Sequence, residues 1–261
     1  MGKSSTVTTL NKDLTSLETV ETTVRQFIQL PGILSAVDFL RERLPHQAEI
    51  FIVGGAIRNL IITQLFGHAP PTEDVDIFIG GLRNDFSLRY LLEGEDVEST
   101  ELDGIRWHPA TSDLAFDLCL LQKFVTLQKY RLAPTRLNLL ACIDFTINTI
   151  LFEVNTGALF ENNCIAAIEK RCLDFNTHRY YTKQLTAYRV LLIRHKTGFM
   201  LSEGVFAFLK HQLSVTELSD LTALFKNKVG KSKTRALMAD YDYVCAYPNY
   251  PAYAAAIKGR N

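Results

Sequence analysis

Apolar residues recur at helical spacing across residues 16–44 (Leu17, Val20, Val24, Phe27 and Ile28, then Ile33, Val37, Leu40 and Leu44). Pro31-Gly32 interrupts them, which predicts two helices joined at that break. The next apolar run, EIFIV at 49–53, is β-branched and aromatic and stops at Gly54-Gly55. A helical pattern, AIRNLIITQLF, follows directly, so the segment reads as strand, glycine turn and helix. Beyond Pro70-Pro71, VDIFI at 75–79 predicts a strand and LRNDFSLRYLLE a helix, and DGIRWH and LAFDLCLL supply two further strands. FTINTILFEV is strand-like, Asn155-Thr156-Gly157 is a turn, and NNCIAAIEKRCLDF opens a helix with an asparagine cap. This alternation predicts a mixed α/β sheet. From Tyr180 onward no strand pattern is seen. Helical spacing runs through QLTAYRVLLIRH, GVFAFLKH, VTELSDLTALF and SKTRALMADYDYVCAY, and the tail from Pro248 is irregular. The expected organisation is an N-terminal helical extension (1–46), an α/β head (47–175) and an all-helical module (176–261).

Composition narrows the classes. At 47% hydrophobic and 21% charged, the 261-residue chain has the balance of a globular protein, which excludes disordered and collagen-like classes. Lys plus Arg and Asp plus Glu are 28 each, so a uniformly basic nucleic-acid sleeve is excluded. The balance hides a split: the chain from Arg179 carries thirteen basic and five acidic residues, and the first 178 residues carry fifteen and twenty-three. One end suits polyanions and the other suits cations. Five cysteines without a CxxC pair, several inside apolar runs, read as reduced thiols, and six histidines without metal-ligand spacing indicate no zinc site. No apolar run approaches the roughly 20 residues of a membrane span. The polar start MGKSSTVTT has no apolar stretch of a secretion signal, so a cytoplasmic protein is expected. Gly2 with Thr6 fits the loose MGxxx(S/T) acylation pattern.

The chemistry concentrates in two places. Gly54-Gly55 between a strand and a helix lets backbone N–H groups approach an anion at a helix N-terminus, a phosphate cradle that Arg58 would complete. Asp74 and Asp76 lie two apart on the next strand, so their side chains share a face. Two adjacent carboxylates repel unless a divalent cation lies between them, and Mg²⁺ shared with substrate phosphates is the usual partner. Asp117, in LAFDLCLL, is a candidate third carboxylate, either a metal ligand or base, or an acid on the outward face of an edge strand. Gly230-Lys231-Ser232 resembles the end of a phosphate-binding loop, but Phe225 stands at its first glycine position, and a loop at a helix start is expected. Lys226, Lys228, Lys231, Lys233 and Arg235 are candidates for RNA phosphate contact. Tyr241, Tyr243, Tyr247, Tyr250 and Tyr253 read as packing and surface residues rather than base-stacking ones.

IFIVGGAIRN followed by EDVDIFI resembles the head of the poly(A) polymerase and tRNA CCA-adding nucleotidyltransferases of the bacterial and eukaryotic type, in the DNA polymerase beta superfamily. Their pattern is GGxxRD and then DxD. Asp144-Phe145-Thr146-Ile147-Asn148 matches the core of the family's RRDFTIN, ILFEVNTGALFENNCIAAIEKRCLDF resembles its strand, turn and short helix, and YRVLLIRHKTGF resembles its neck helix. The resemblance covers residues 48–200. Three positions depart from it. Asn59 replaces an Asp, Cys142-Ile143 replace two arginines that help hold nucleotide, with Arg131 or Arg136 as substitutes, and residues 183–186 lack the family's EDxxR, whose arginine Arg189 supplies only in a shifted register.

The resemblance implies a polymerase-beta-like nucleotidyltransferase head with a mixed sheet, α/β (α+β) in class, followed by a neck-like helical module. It implies catalytic Asp74, Asp76 and Asp117 with two Mg²⁺ ions on Asp74 and Asp76. A nucleoside triphosphate would be held by Gly54, Gly55, Arg58, Asp144, Asn148 and Arg189. The implied reaction moves a nucleoside monophosphate to an RNA 3′ end of tRNA or poly(A) type. Transfer to a protein or small molecule, and a descendant that binds RNA or protein without chemistry, are the alternatives.

Overall fold

The computed structural model describes residues 16–100, 104–177 and 182–259; the Gly2/Thr6 pattern lies outside them. Ser16 caps α1 (Leu17–Ile28) by accepting from the Thr19 N–H at 3.1 Å. Pro31 is the first residue of α2 (Pro31–Arg43), where a missing N–H costs nothing, so the expected break is the start of the second helix. Next come β1 (Glu49–Val53), α3 (Gly55–Phe66) and β2 (Asp74–Gly80), in the expected order. Gly54 joins β1 to α3 at φ 68° and ψ −110°, a region closed to L side chains. An added Cβ would meet nothing nearer than 3.7 Å, so only the backbone objects. Gly54→Ala is therefore expected to cost about 1–3 kcal/mol, read as a lower urea midpoint with an unchanged slope.

The chain continues through α4 (Leu88–Leu91), β3 (Val97–Ser99), β4 (Ile105–Trp107), β5 (Ala115–Leu120), α5 (Val125–Lys129), α6 (Arg136–Cys142), β6 (Ile150–Glu153), β7 (Ala158–Glu161), α7 (Cys164–Glu169) and β8 (Cys172–Leu173). After these come α8 (Lys183–Thr197), β9 (Met200–Leu201), α9 (Glu203–His211), α10 (Val215–Cys245) and α11 (Tyr250–Lys258). The seven-stranded sheet has the order β3-β4-β5-β2-β1-β6-β7, with β2 and β5 parallel and the other neighbours antiparallel. Alternation sorts its two faces. Ile50, Ile52, Val75, Ile77, Ile79, Phe116 and Leu118 are buried in one core with α1, α2, α3 and α7, and that core continues through Leu191, Phe208, Leu237 and Tyr253 of the C-terminal helices. On the other face, Phe51 and Val53 of β1 pack with Leu127, Leu139 and Leu140 of α5 and α6. At β2 and β5 this second face carries Asp74, Asp76 and Asp117 instead, all partly buried.

Several elements differ from the sequence expectation. The helix expected over LRNDFSLRYLLE shrinks to α4, which begins after Ser87 without a side-chain cap. Arg83 and Asp85 pair with each other at 3.1 Å, and positions two apart do not face each other on a helix. The strand expected from Phe145 starts at Ile150, because Thr146–Asn148 forms a 3₁₀ turn in which the Thr149 hydroxyl bonds the Thr146 carbonyl at 2.6 Å. Asn163 precedes α7 at φ 59° but its side chain caps nothing; the Glu161 carboxylate accepts from the Cys164 N–H at 2.7 Å instead. The C-terminal module is not all-helical, since β9 pairs with β8. The expected loop at 230–232 is a kink in α10 at Gly230 (φ 73°). The tail forms α11, whose Tyr253 is buried and accepts from the Leu201 N–H at 3.0 Å. Tyr243, Tyr247 and Tyr253 pack edge to face, as expected of packing residues. All five cysteines are free thiols. Among the described residues no helix is long and apolar enough to cross a membrane.

Candidate active site

The β2–β5 pairing sets Asp76 beside Asp117, and the two-residue period puts Asp74 on the same face. β5 is an interior strand, so Asp117 is not the acid of an edge strand. The β4–β5 register then places Arg106 opposite Asp117. Its guanidinium donates Nε to Asp117 Oδ1 at 2.8 Å and Nη2 to Asp117 Oδ2 at 2.6 Å, and the same Nη2 reaches Asp74 Oδ2 at 3.2 Å. Two of the three carboxylates thus share one guanidinium, and Asp76 is the one it does not bond. Asp76 carries the remaining strain: burial, then the charges of Asp74 and Asp117, push its carboxyl up to about 7.

A cleft of about 420 Å³ opens on this face. Asp76, Asp117 and Arg106 line one side, with Arg189 of α8 and Lys228 of α10 contributing further positive charge, and Phe78, Phe124 and Tyr188 forming an apolar wall. Arg189 donates Nε to Asp144 Oδ2, while Asp144 Oδ1 accepts from the Phe145 N–H at 3.0 Å. Two residues expected to hold the nucleotide are therefore partners, and their pair ties α8 to the head. α8 makes one more such tie, Lys196 to Glu73 at 3.1 Å, and Arg194 joins it to α10 through Asp240 at 2.6 Å.

Other predicted residues fall elsewhere. The register Val53↔Asp76 carries Gly54 and Gly55 level with the start of β2, beside the carboxylates but outside the cleft. The Gly54 N–H is already spent on the Ile150 carbonyl at 3.0 Å. Arg58 is 7% exposed and does not line the cleft. It donates to Asn148 Oδ1 at 2.6 Å and to Asn59 Oδ1 at 3.0 and 3.1 Å, and burial lowers its pKa. As the structure stands it ties α3 to the 146–148 turn. Cys142 and Ile143, in place of arginines, are buried on the second face of the sheet. Neither Arg131 nor Arg136 substitutes for them in the cleft, because Arg136 pairs with Glu153 at 3.2 Å and Arg131 lies away from it. The guanidinium groups of the cleft are Arg106, which the sequence reading missed, and Arg189. The signal for Arg106 was its place in DGIRWH at the alternating position of a strand, but only the pairing shows what it faces. Of the α10 cluster, Lys228 lines the cleft, Lys233 lies near enough to Glu73 to help hold its carboxyl down, and Lys226, Lys231 and Arg235 are exposed.

Compared by sequence, the chain matches no family model and no curated protein. Compared by structure, three solved forms of a tRNA-processing enzyme align with most of it. The first apo form gives a TM-score of 0.56 at 15% identity, over 83% of this chain and 58% of that one. A second apo form gives 0.52 at 17% identity, over 79% and 57%, and a complex gives 0.52 at 16%, over 79% and 55%. The chain shares the fold of these enzymes. Its mixed seven-stranded sheet and helical C-terminal region are the architecture implied by the sequence motifs, and the chain spans a little over half the length of these enzymes.

Proposed function

We propose that the chain is a Mg²⁺-dependent nucleotidyltransferase that moves a nucleoside monophosphate from a nucleoside triphosphate to an acceptor hydroxyl, with an RNA 3′ end as the acceptor. The observation that carries this reading is the common face of Asp74 and Asp76, with Asp117 alongside, of which Asp76 and Asp117 line a cleft that also holds Arg189 and Lys228. Among the described residues no three His, Cys, Asp or Glu side chains group closely enough to enclose a metal. The donor set that fits is the two carboxylates of β2, whose mutual repulsion a dication would relieve, completed by substrate phosphate oxygens. Mg²⁺ held there would neutralise the triphosphate and acidify the attacking hydroxyl. The chain's own groups do the rest. Asp74 and Asp76 hold the cation, Arg189 and Lys228 attract the triphosphate, and the aromatic wall holds the base and excludes water. The acceptor oxygen bonds to the α-phosphorus, the bond to pyrophosphate breaks, and Asp117 takes the hydroxyl proton once Arg106 releases it.

A second reading, a descendant of the fold that binds RNA without chemistry, is favoured by one observation. Arg106 occupies two of the three carboxylates with a fixed positive charge, and a guanidinium can stand in for a cation without catalysing anything. Incubation with each α-labelled triphosphate, Mg²⁺, RNA and protein separates the readings. Label on an RNA 3′ end is the expected result. Label on protein or on a small molecule moves the acceptor, and no label with any of the four triphosphates leaves the second reading standing.

A further inference from the structure

A second cavity, of about 590 Å³, lies at the C-terminal end of α8, where the ends of α3 and α11 and the turn after α7 meet. Lys170, Arg171, Lys196 and Lys258 converge on it, against a single carboxylate, Glu169. Lys196 pairs with Glu73, but among the described residues Lys170, Arg171 and Lys258 have no carboxylate within 4.0 Å. In a chain of zero net charge, such a gathering of unneutralised cations is local rather than a general excess. Arg171 adopts φ 48°, a conformation L side chains seldom take, and its guanidinium lies over the Phe66 ring, 3.9 Å from the centroid. That stack presents a flat cationic platform to the cavity, the surface on which nucleobases stack.

The cavity also connects to the cleft. Lys196 lies seven residues along α8 from Arg189, about 10 Å of helix rise. Lys196 and Lys233 both act on Glu73, the residue before Asp74, and Lys228 of the same basic segment lines the cleft. Positive charge therefore runs from the carboxylates to the cavity, a track that suits an extended polyanion better than a single ion. We infer that this cavity holds a nucleotide of an RNA strand whose end reaches the cleft, its base on the Arg171–Phe66 stack and its phosphate between Lys170 and Lys258. The inference rests on RNA being the acceptor, as proposed above.

Fluorescence anisotropy with a short labelled oligoribonucleotide, without triphosphate or Mg²⁺, tests it. Lys170→Glu with Lys258→Glu, both exposed positions, is expected to weaken binding about fivefold and to reduce the slope of log Kd against log salt by about 1.4. Equal RNA affinity in the variant overturns the inference. So does a wild-type cavity that binds inorganic phosphate or ATP with no affinity for RNA. Acylation footprinting of the unaltered protein gives a readout independent of any substitution: RNA should protect Lys170 and Lys258, and equal labelling with and without RNA refutes the site. Because no chemistry is measured, an inactive protein that shows this loss and protection keeps the cavity assignment and loses only the transfer reaction.

Discussion

Asp74→Asn and Asp76→Asn, made singly, are each expected to reduce Mg²⁺-dependent pyrophosphate release by about a thousandfold or more, the several kcal/mol of charge stabilisation that a divalent cation supplies to phosphoryl transfer. Neither should unfold the protein. In the metal-free state Asp76→Asn removes a charge that the fold tolerates badly, since burial and the neighbouring Asp74 and Asp117 raise its carboxyl from an ordinary 3.8 to about 7. The folded chain therefore keeps a proton there that the unfolded chain gives up, between about pH 4 and pH 7. The sign follows from linkage: where the folded state binds more protons, stability falls as pH rises. The wild-type Tm should decline relative to that of Asp76→Asn across this window and run parallel to it above. Mg²⁺ should raise the wild-type Tm more at pH 8 than at pH 6, because protons compete for the same oxygens. A wild-type and variant pair with equal Mg²⁺-dependent activity would sink the catalytic reading.

Arg106→Gln is expected to separate the active from the silent reading. The Arg106 and Asp117 side chains are 38% and 25% exposed, so their bidentate pair is neither a surface contact nor a fully buried one. Its loss should cost about 1–2 kcal/mol of metal-free stability. The same loss leaves Asp74 and Asp117 without their hydrogen-bonded counter-charge, and Mg²⁺ affinity should rise on the order of tenfold or more. Calorimetric titration and Mg²⁺-dependent melting measure both effects. In an active enzyme the Mg²⁺ concentration for half-maximal pyrophosphate release should fall in parallel. In a silent descendant the variant should bind Mg²⁺ more tightly and still release nothing. Unchanged Mg²⁺ affinity would mean that Arg106 does not compete with a cation at these carboxylates.

Much of the head was legible because its signals are local. The apolar run of β1, the glycines that end it and the helical spacing of α3 each depend on a few adjacent residues. The shared face of Asp74 and Asp76 follows from the period of a strand whatever its neighbours are. The motif order and the observed architecture agree for the same reason. The errors fall where local preference is weak or is overridden. α4 and the β8–β9 pair are too short to show a period, and the turn at Thr146–Asn148 is held by side-chain bonds to backbone that no apolar pattern records.

The content of the site was another matter. Arg106 meets Asp117 only because β4 and β5 pair antiparallel in that register. Arg189 meets Asp144 across 45 positions because α8 folds back on the head. Arg58 is buried because Asn59 and Asn148 offer oxygens to its guanidinium. The amino-acid sequence by itself determined the strands β1, β2, β4 and β5 and the shared face of Asp74 and Asp76, since dihedral preferences and side-chain alternation act between neighbours. Which positive charge faces those acids was decided only by the tertiary structure, because strand register and helix docking are set by burial of the whole core and bring together groups that no local spacing relates.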